Sequence, residues 1–269
     1  MPLAFLANSS GKAPFFLWPS ISTALAAEIS IMAVFLLWGF NFTATKICLQ
    51  YTSPLVFSSL SFGAGGIVII FYLYKSLRWS DWEGALIVGL CMCISSAMQA
   101  FALNHTLIAK TAFYSTLDIP ITALLELNSR WLDNGEIFGV ACSIIGAFLL
   151  SWNGSSLAPN LGDWFSILAC IPSAFYFIAC AHYTTPESKS SLCIGQLLVT
   201  AVVCAVLAPA LETPFITFSW SLCFGLIITG CLSCGVAIFV LTWAQMFTTP
   251  TRTVIIGKIK YLEYNTTDS

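Results

Sequence analysis

Charge is the scarcest property of this sequence. Asp, Glu, Lys and Arg together make up 8% of its 269 residues, against about 25% in soluble domains. A soluble chain of this length needs far more polar surface than that to cover its core. The net charge of −2 and the lack of any basic run remove the case for nucleic acid. There is no glycine-rich phosphate loop, so ATP-driven work is not written here. Paired catalytic acids, a Ser-His pair and a His-rich cluster are also missing. Without such a convergent set the chain does not read as an enzyme, and no cofactor or metal is implied.

What is present is apolar length. Hydrophobic residues reach 58% and the mean hydropathy is +0.88. Stretches 47–74, 84–109, 137–162, 164–186, 190–211 and 213–251 contain no Asp, Glu, Lys or Arg. A membrane-spanning helix needs roughly 20 mostly apolar residues. In lipid, unpaired backbone groups cost so much that such runs must become helices. The fold class that follows is all-α, a polytopic membrane protein of about eight transmembrane helices. The spans are placed at 24–45, 54–74, 83–104, 108–127, 135–153, 161–182, 191–211 and 220–246. Before them, Lys12 comes late and Pro14 and Pro19 break the apolar stretch, which argues against a signal peptide.

Orientation follows from Lys and Arg, which favour the cytoplasmic side. With the N-terminus inside, the inner segments carry Lys12, Lys75, Arg78, Arg130, Lys189, Arg252, Lys258 and Lys260. The outer loops carry only Lys46 and Lys110. Both ends are therefore expected to be cytoplasmic. Trp79, Trp82, Trp131, Trp152 and Trp164 sit near predicted helix ends, as an interfacial aromatic belt would. The eleven cysteines all lie in or beside apolar runs, where Cys acts as a small hydrophobe. Cys231-Leu-Ser-Cys234 has metal or redox spacing but no second pair. The sequons at Asn41, Asn104 and Asn153 are too common a pattern to imply glycosylation.

Two short matches hint at an internal repeat. Tyr51-Thr-Ser-Pro54 resembles Tyr183-Thr-Thr-Pro186. ALNHTLIAKTAFY, from Ala102, resembles AQMFTTPTRTVII, from Ala244. In the second pair Ala102/Ala244, Thr106/Thr248 and Thr111/Thr253 are identical, and Lys110 aligns with Arg252. Both matches imply a five-helix unit, and an odd number of spans inverts the second copy. Inverted repeats are a recurrent plan of secondary transporters, with substrate held near the midplane between the halves.

These motifs also carry a family resemblance. Trp38-Gly-Phe-Asn-Phe-Thr-Ala-Thr-Lys46 ends the first span, and Asn104-His-Thr-Leu-Ile-Ala-Lys-Thr-Ala112 enters the fourth. Gly139-Val-Ala-Cys-Ser-Ile-Ile-Gly-Ala-Phe-Leu-Leu150 forms the fifth. Gly162-Asp-Trp164 opens the sixth, and Trp243-Ala-Gln-Met-Phe-Thr-Thr-Pro-Thr-Arg252 closes the eighth. Over residues 24–256 the chain resembles the EamA family of the drug/metabolite transporter superfamily. The resemblance implies ten helices in two inverted five-helix repeats. It implies transport of small metabolites such as amino acids, nucleosides or their derivatives, in a bacterial inner membrane. By that reading 1–23 is a cytoplasmic segment, 24–153 a first repeat, 161–256 an incomplete second one and 257–269 a polar tail. Asn128-Ser129-Arg130 departs from the Gly-Glu-Arg often found there in the family. Only 23 residues follow Met246, where two more spans need about 40, so a truncated, non-transporting remnant or binding subunit is the rival reading. The partners expected are a small-molecule substrate and the lipid bilayer, with a homodimer left open.

Ionisable residues inside a span are costly and point to function by default. Asp118 sits mid-span and is followed by Pro120, which removes a backbone donor and loosens the helix. A carboxylate there can bind a cationic group, a cation or a proton; the alternative is an acid that locks helices together. Lys110 lies about two turns away and can hold the anionic group of a zwitterion, or snorkel to the interface. Trp38, Asn41, Tyr114, Tyr176 and Trp243 offer flat faces with polar edges, and Gln99 and Gln245 offer amides. Such groups suit an apolar pocket with a few placed polar contacts, or plain helix packing. The substrate-binding candidates are Asp118, Lys110, Trp38, Asn41, Gln99, Tyr114, Tyr176 and Trp243. His105 and His182 fall at span ends, and Glu28 is expected to reach water.

Overall fold

The computed structural model describes residues 21–76, 82–127, 131–132, 134–151 and 160–255. The expected cytoplasmic segment (bar its last residues), the polar tail, Arg78, Trp79, residues 128–130, Trp152 and Asn153 lie outside them. Among the described residues every regular element is helical, apart from one bridge between Thr52 and Ile216. In chain order these are α1 (Ile21–Cys48), α2 (Pro54–Leu73), α3 (Trp82–His105), α4 (Ile108–Tyr114) and α5 (Asp118–Glu126). There follow α6 (Asn134–Ser151), α7 (Leu161–Tyr183), α8 (Lys189–Leu211), α9 (Trp220–Leu226) and α10 (Ala237–Ala244). A π-helical stretch, Ile227–Val236, joins α9 to α10 without a break.

Among the described residues six helices are long and apolar enough to cross a membrane: Leu25–Cys48, Pro54–Ser76, Trp82–His105, Leu161–Tyr183, Lys189–Leu211 and Trp220–Ala244. The fourth predicted span takes a different form, divided into α4, a 3-10 turn at Ser115–Leu117, and α5. The fifth is helical as α6. Phe71, Tyr72, Phe138, Val206 and Phe218 stand fully exposed on the bundle's flanks. In water such a surface would aggregate; against lipid tails it is neutral.

Side-chain links fix which helix ends lie together. At the end where α1 begins, here called proximal, Arg252 pairs with Glu28 at 2.9 Å. There also Glu126 accepts from the amide of Thr251 at 2.8 Å and Glu136 from the Thr249 hydroxyl at 2.9 Å. Glu28 is partly exposed, as expected, and pairs there with Arg252. At the opposite, distal end, Lys46 donates to the carbonyls of Leu103 and Thr106, the open end of α3. A cation there complements the helix dipole, so Lys46 caps rather than snorkels. Glu212, after α8, accepts from the amides of Leu55 and Val56 at 3.1 and 3.2 Å and from Ser53 at 2.6 Å. It supplies from a distance the N-terminal cap that α2 lacks, since Ser53 makes no cap of its own.

Without water to drive helices together, close approach depends on small residues. A Cβ at Gly65 would stand 2.8 Å from the carbonyl of Gly230 and the amide of Gly235. Helix α2 therefore rests backbone to backbone on the π-helical stretch. Ser61 and Thr229 hydrogen-bond across the same contact at 3.1 Å.

Candidate functional site

A cavity of about 160 Å³ lies at the middle of the bundle. Three helices present it with faces of helical period. Phe35, Trp38, Asn41 and Phe42 come from α1, and Met92, Ser95, Ser96 and Gln99 from α3. Ser173, Tyr176 and Phe177 come from α7. Positions three and four apart share a helix face, so each set is one stripe turned inward. Phe62 of α2, and Ser233, Cys234 and Ile238 of the eighth span, complete the wall with Ala112, Ser115 and Asp118.

Asp118 reaches the cavity because the fourth span breaks. Proline at position 120 supplies no amide to the carbonyl of residue 116 and crowds it. The helix answers by tightening: Ser115–Leu117 is a 3-10 turn, and the amide of Asp118 donates to the carbonyls of Ser115 and Thr116. Asp118 then begins α5. It is 3% exposed, and the hydroxyl of Ser173 donates to its Oδ2 at 3.2 Å. Among the described lining residues it is the sole carboxylate, and no Lys, Arg or His lines the cavity.

The remaining polar lining is under-used within the protein. Asn41 Oδ1, Tyr176 Oη and Ser233 Oγ are buried and make no hydrogen bond in the fold. A buried polar atom left unpaired costs about 1–3 kcal/mol, and native proteins retain few. The three belong to residues that line the cavity. Trp38 is anchored differently, donating its indole N–H to the Ser233 carbonyl at 3.2 Å. The π-helical turn supplies that carbonyl; such turns recur at functional sites.

Toward the distal end a second chamber of about 80 Å³ shares Asn41, Phe42, Phe62, Ser96 and Gln99 with the first. Its further wall is Thr45, Phe57, Ser58, Ser61, Leu103 and Thr229. Toward the proximal end, among the described residues, Ala27, Ile31, Ile69, Ala85, Val88, Leu192, Leu197 and Leu241 are buried together. The cavity is thus extended at one end and backed by packed side chains at the other.

Of the residues expected to hold substrate, Trp38, Asn41, Gln99, Asp118 and Tyr176 line the cavity. Lys110, Tyr114 and Trp243 are not among its lining residues. Lys110 pairs with Asp163 at 3.2 Å at the distal end. Tyr114 turns its ring toward Phe113, and Trp243 packs edge-on against Phe247 at 5.3 Å near the proximal end. Gln245 is buried at that end too. Sequence reasoning passed over Ser95, Ser96, Ser115, Ser173 and Ser233, since serine in a membrane helix reads as packing. The signal available was periodic: Ser95, Ser96 and Gln99 form a polar stripe on an otherwise apolar α3.

Residues 25–152 match the EamA-like transporter family. An uncharacterized transporter of Archaeoglobus fulgidus is 23% identical over 239 residues, which are 86% of this chain and 73% of that protein. A solved crystal structure of another protein superposes with a TM-score of 0.64 over 91% of this chain and 89% of its own, at 17% identity. At that identity the likeness is one of fold alone. Together with the six apolar helices, the match makes this an integral membrane protein, and residues 25–152 of the chain are an EamA-family domain.

Proposed function

We propose that the chain is a secondary transporter that moves a small polar or amphipathic metabolite by alternating access through the central cavity. The single observation that carries this reading is the composition of that cavity. It joins a buried carboxylate, unpaired polar atoms and aromatic walls at mid-bundle, the make-up of a small-molecule site. Family membership points to transport rather than catalysis. Residues 24–153 and 161–256 act as the two halves, and both contribute to the wall. Extension at the distal end and packed side chains at the proximal end correspond to one of the two states alternating access requires. Lys75, Lys189 and Arg252 lie at the proximal end, which is taken as cytoplasmic, in a bacterial inner membrane; the distal Lys46 and Lys110 are occupied as capping and ion-pair partners. Substrate contacts are assigned to Asp118, Trp38, Asn41, Gln99 and Tyr176.

The test is a metabolite screen by thermal stabilisation in detergent, followed by uptake into proteoliposomes. A specific ligand stabilises the folded state by mass action. The expected result is a ligand that raises the melting temperature, shows saturable flux, and loses both in Asp118→Asn. A folded, monodisperse protein that neither binds nor moves any metabolite class would overturn the reading.

A further inference from the structure

The geometry points to a small organic monocation, an amine with a ring-sized apolar body, as the guest of the central cavity. This deepens the transport reading and rests on it. The argument begins with Lys110. A zwitterionic guest such as an amino acid needs a fixed positive group for its carboxylate, and Lys110 is the sequence's candidate for that role. The structure ties it instead to Asp163, itself fully buried and held by Thr106 at 2.7 Å. No Lys, Arg or His replaces it among the described lining residues. An anion entering this cavity would meet a carboxylate and nothing of opposite charge to offset its lost hydration.

The lining carries a carboxylate and uncharged polar groups instead. Asp118 is the carboxylate, and Asn41, Gln99, Tyr176 and Ser233 are lining residues whose oxygens can accept a hydrogen bond. An ammonium group has three donors and no acceptor, so it matches this set. Around it, Phe35, Trp38, Phe42, Phe62 and Phe177 present rings, whose faces attract cations and whose area buries an apolar body. Size sets the last limit. A dry cavity of about 150 Å³ holds a benzene molecule, and this one is about 160 Å³. The guest is one ring or its aliphatic equivalent plus the amine, not a nucleotide or a sugar conjugate.

Four probes of matched shape separate the charge classes: phenethylamine, L-phenylalanine, phenylacetate and 2-phenylethanol. Each is titrated into the purified full chain in detergent, with heat of binding and melting temperature as readouts. Phenethylamine is expected to bind more than about tenfold tighter than the other three, the range for a hydrogen bond to a charged group. In Asp118→Asn it should fall to the level of the alcohol. Should that variant fail to fold, Ser173→Ala keeps the carboxylate but removes its donor, and should change amine affinity several-fold while leaving the alcohol unchanged. Equal or tighter binding of phenylalanine or phenylacetate would overturn the assignment, as would an amine preference that survives Asp118→Asn. Failure of all four probes also overturns it. If another metabolite class then binds or is transported, the transport reading stands alone; if none does, both fall.

Discussion

The two ends of the bundle share a plan and are held by different means. At the distal end Lys110 meets Asp163, near the start of α7. At the proximal end Arg252, which aligns with Lys110 in the short sequence match, meets Glu28, near the start of α1. In each case a cation reaches an acid near the start of a long helix. The environments differ sharply. Asp163 is fully buried and accepts from Thr106, Lys110 and the amide of Asn160, while Asn160 caps α7 in return. The Glu28 and Arg252 side chains are 28% and 53% exposed. Burial, not the presence of a contact, decides what each is worth: exposed pairs contribute little, whereas breaking a buried network strands its partners. The distal helix ends are tied by a buried polar hub, and the proximal ones by apolar packing with an exposed ion pair beside it.

The largest expected effect breaks the hub. Asp163→Ala should lower unfolding stability by about 2–4 kcal/mol, since Thr106, Lys110 and the amide of Asn160 lose their acceptor together. Asp163→Asn should cost less, because the amide oxygen still accepts from Thr106. Reversible unfolding in mixed micelles reads both. Equal stability of wild type and Asp163→Ala would mean that the hub holds nothing the bilayer does not.

The matching attack on the proximal end is steric. Gly195 of α8 lies directly against the Ala85 side chain of α3, with the Trp82 ring beyond. A Cβ at Gly89 would stand 2.7 Å from the Val199 side chain and 3.1 Å from the Gln196 backbone. Gly195→Leu should cost about 1–3 kcal/mol through overpacking and loosen the proximal seal, measured as faster labelling of a cysteine placed at Ile31. A seal unaffected by this change would show that packing between α3 and α8 is not what closes that end.

A subtler change tests how the two ends meet at the cavity. Pro120→Ala restores the missing amide and lets the fourth span run as one helix. Stability should change by no more than about 1 kcal/mol, while the turn at Ser115–Leu117 straightens and carries Asp118 away from Ser173. Ligand binding should weaken several-fold with little change in melting temperature. Unchanged binding would detach Asp118's position from the proline.

How much of this was legible beforehand follows from what each level of structure depends on. Helix positions follow from apolar length, so α2, α3, α7 and α8 fall within two residues of their expected ends. The break in the fourth span was signalled by Pro120 but its 3-10 form was not, because it depends on how the next turn re-pairs. Trp38, Asn41, Gln99, Asp118 and Tyr176 were nominated by polarity inside a span. Lys110 and Trp243 met the same criterion and lie elsewhere, since polarity says nothing about which way a helix is turned. Asp163 was quoted within a motif and given no role; its burial arises from α3 and α4 arriving over the start of α7, which no local pattern encodes.

The smallest expected effect is the sharpest test of the comparison. A double-mutant cycle with Glu28→Gln and Arg252→Gln should give a coupling below about 1 kcal/mol, falling further with added salt. The corresponding cycle at Lys110→Gln and Asp163→Asn should give the larger coupling and a weaker salt dependence, because one partner is buried. Additivity isolates the pair only where each single change adds no new contact; Glu28→Gln and Asp163→Asn keep size while removing charge, and Arg252→Gln and Lys110→Gln shorten the side chain into space it already held. If the two cycles return the same coupling and the same salt slope, burial has not separated the two ends. Alignment in the short sequence match would then be the better guide to their energetics.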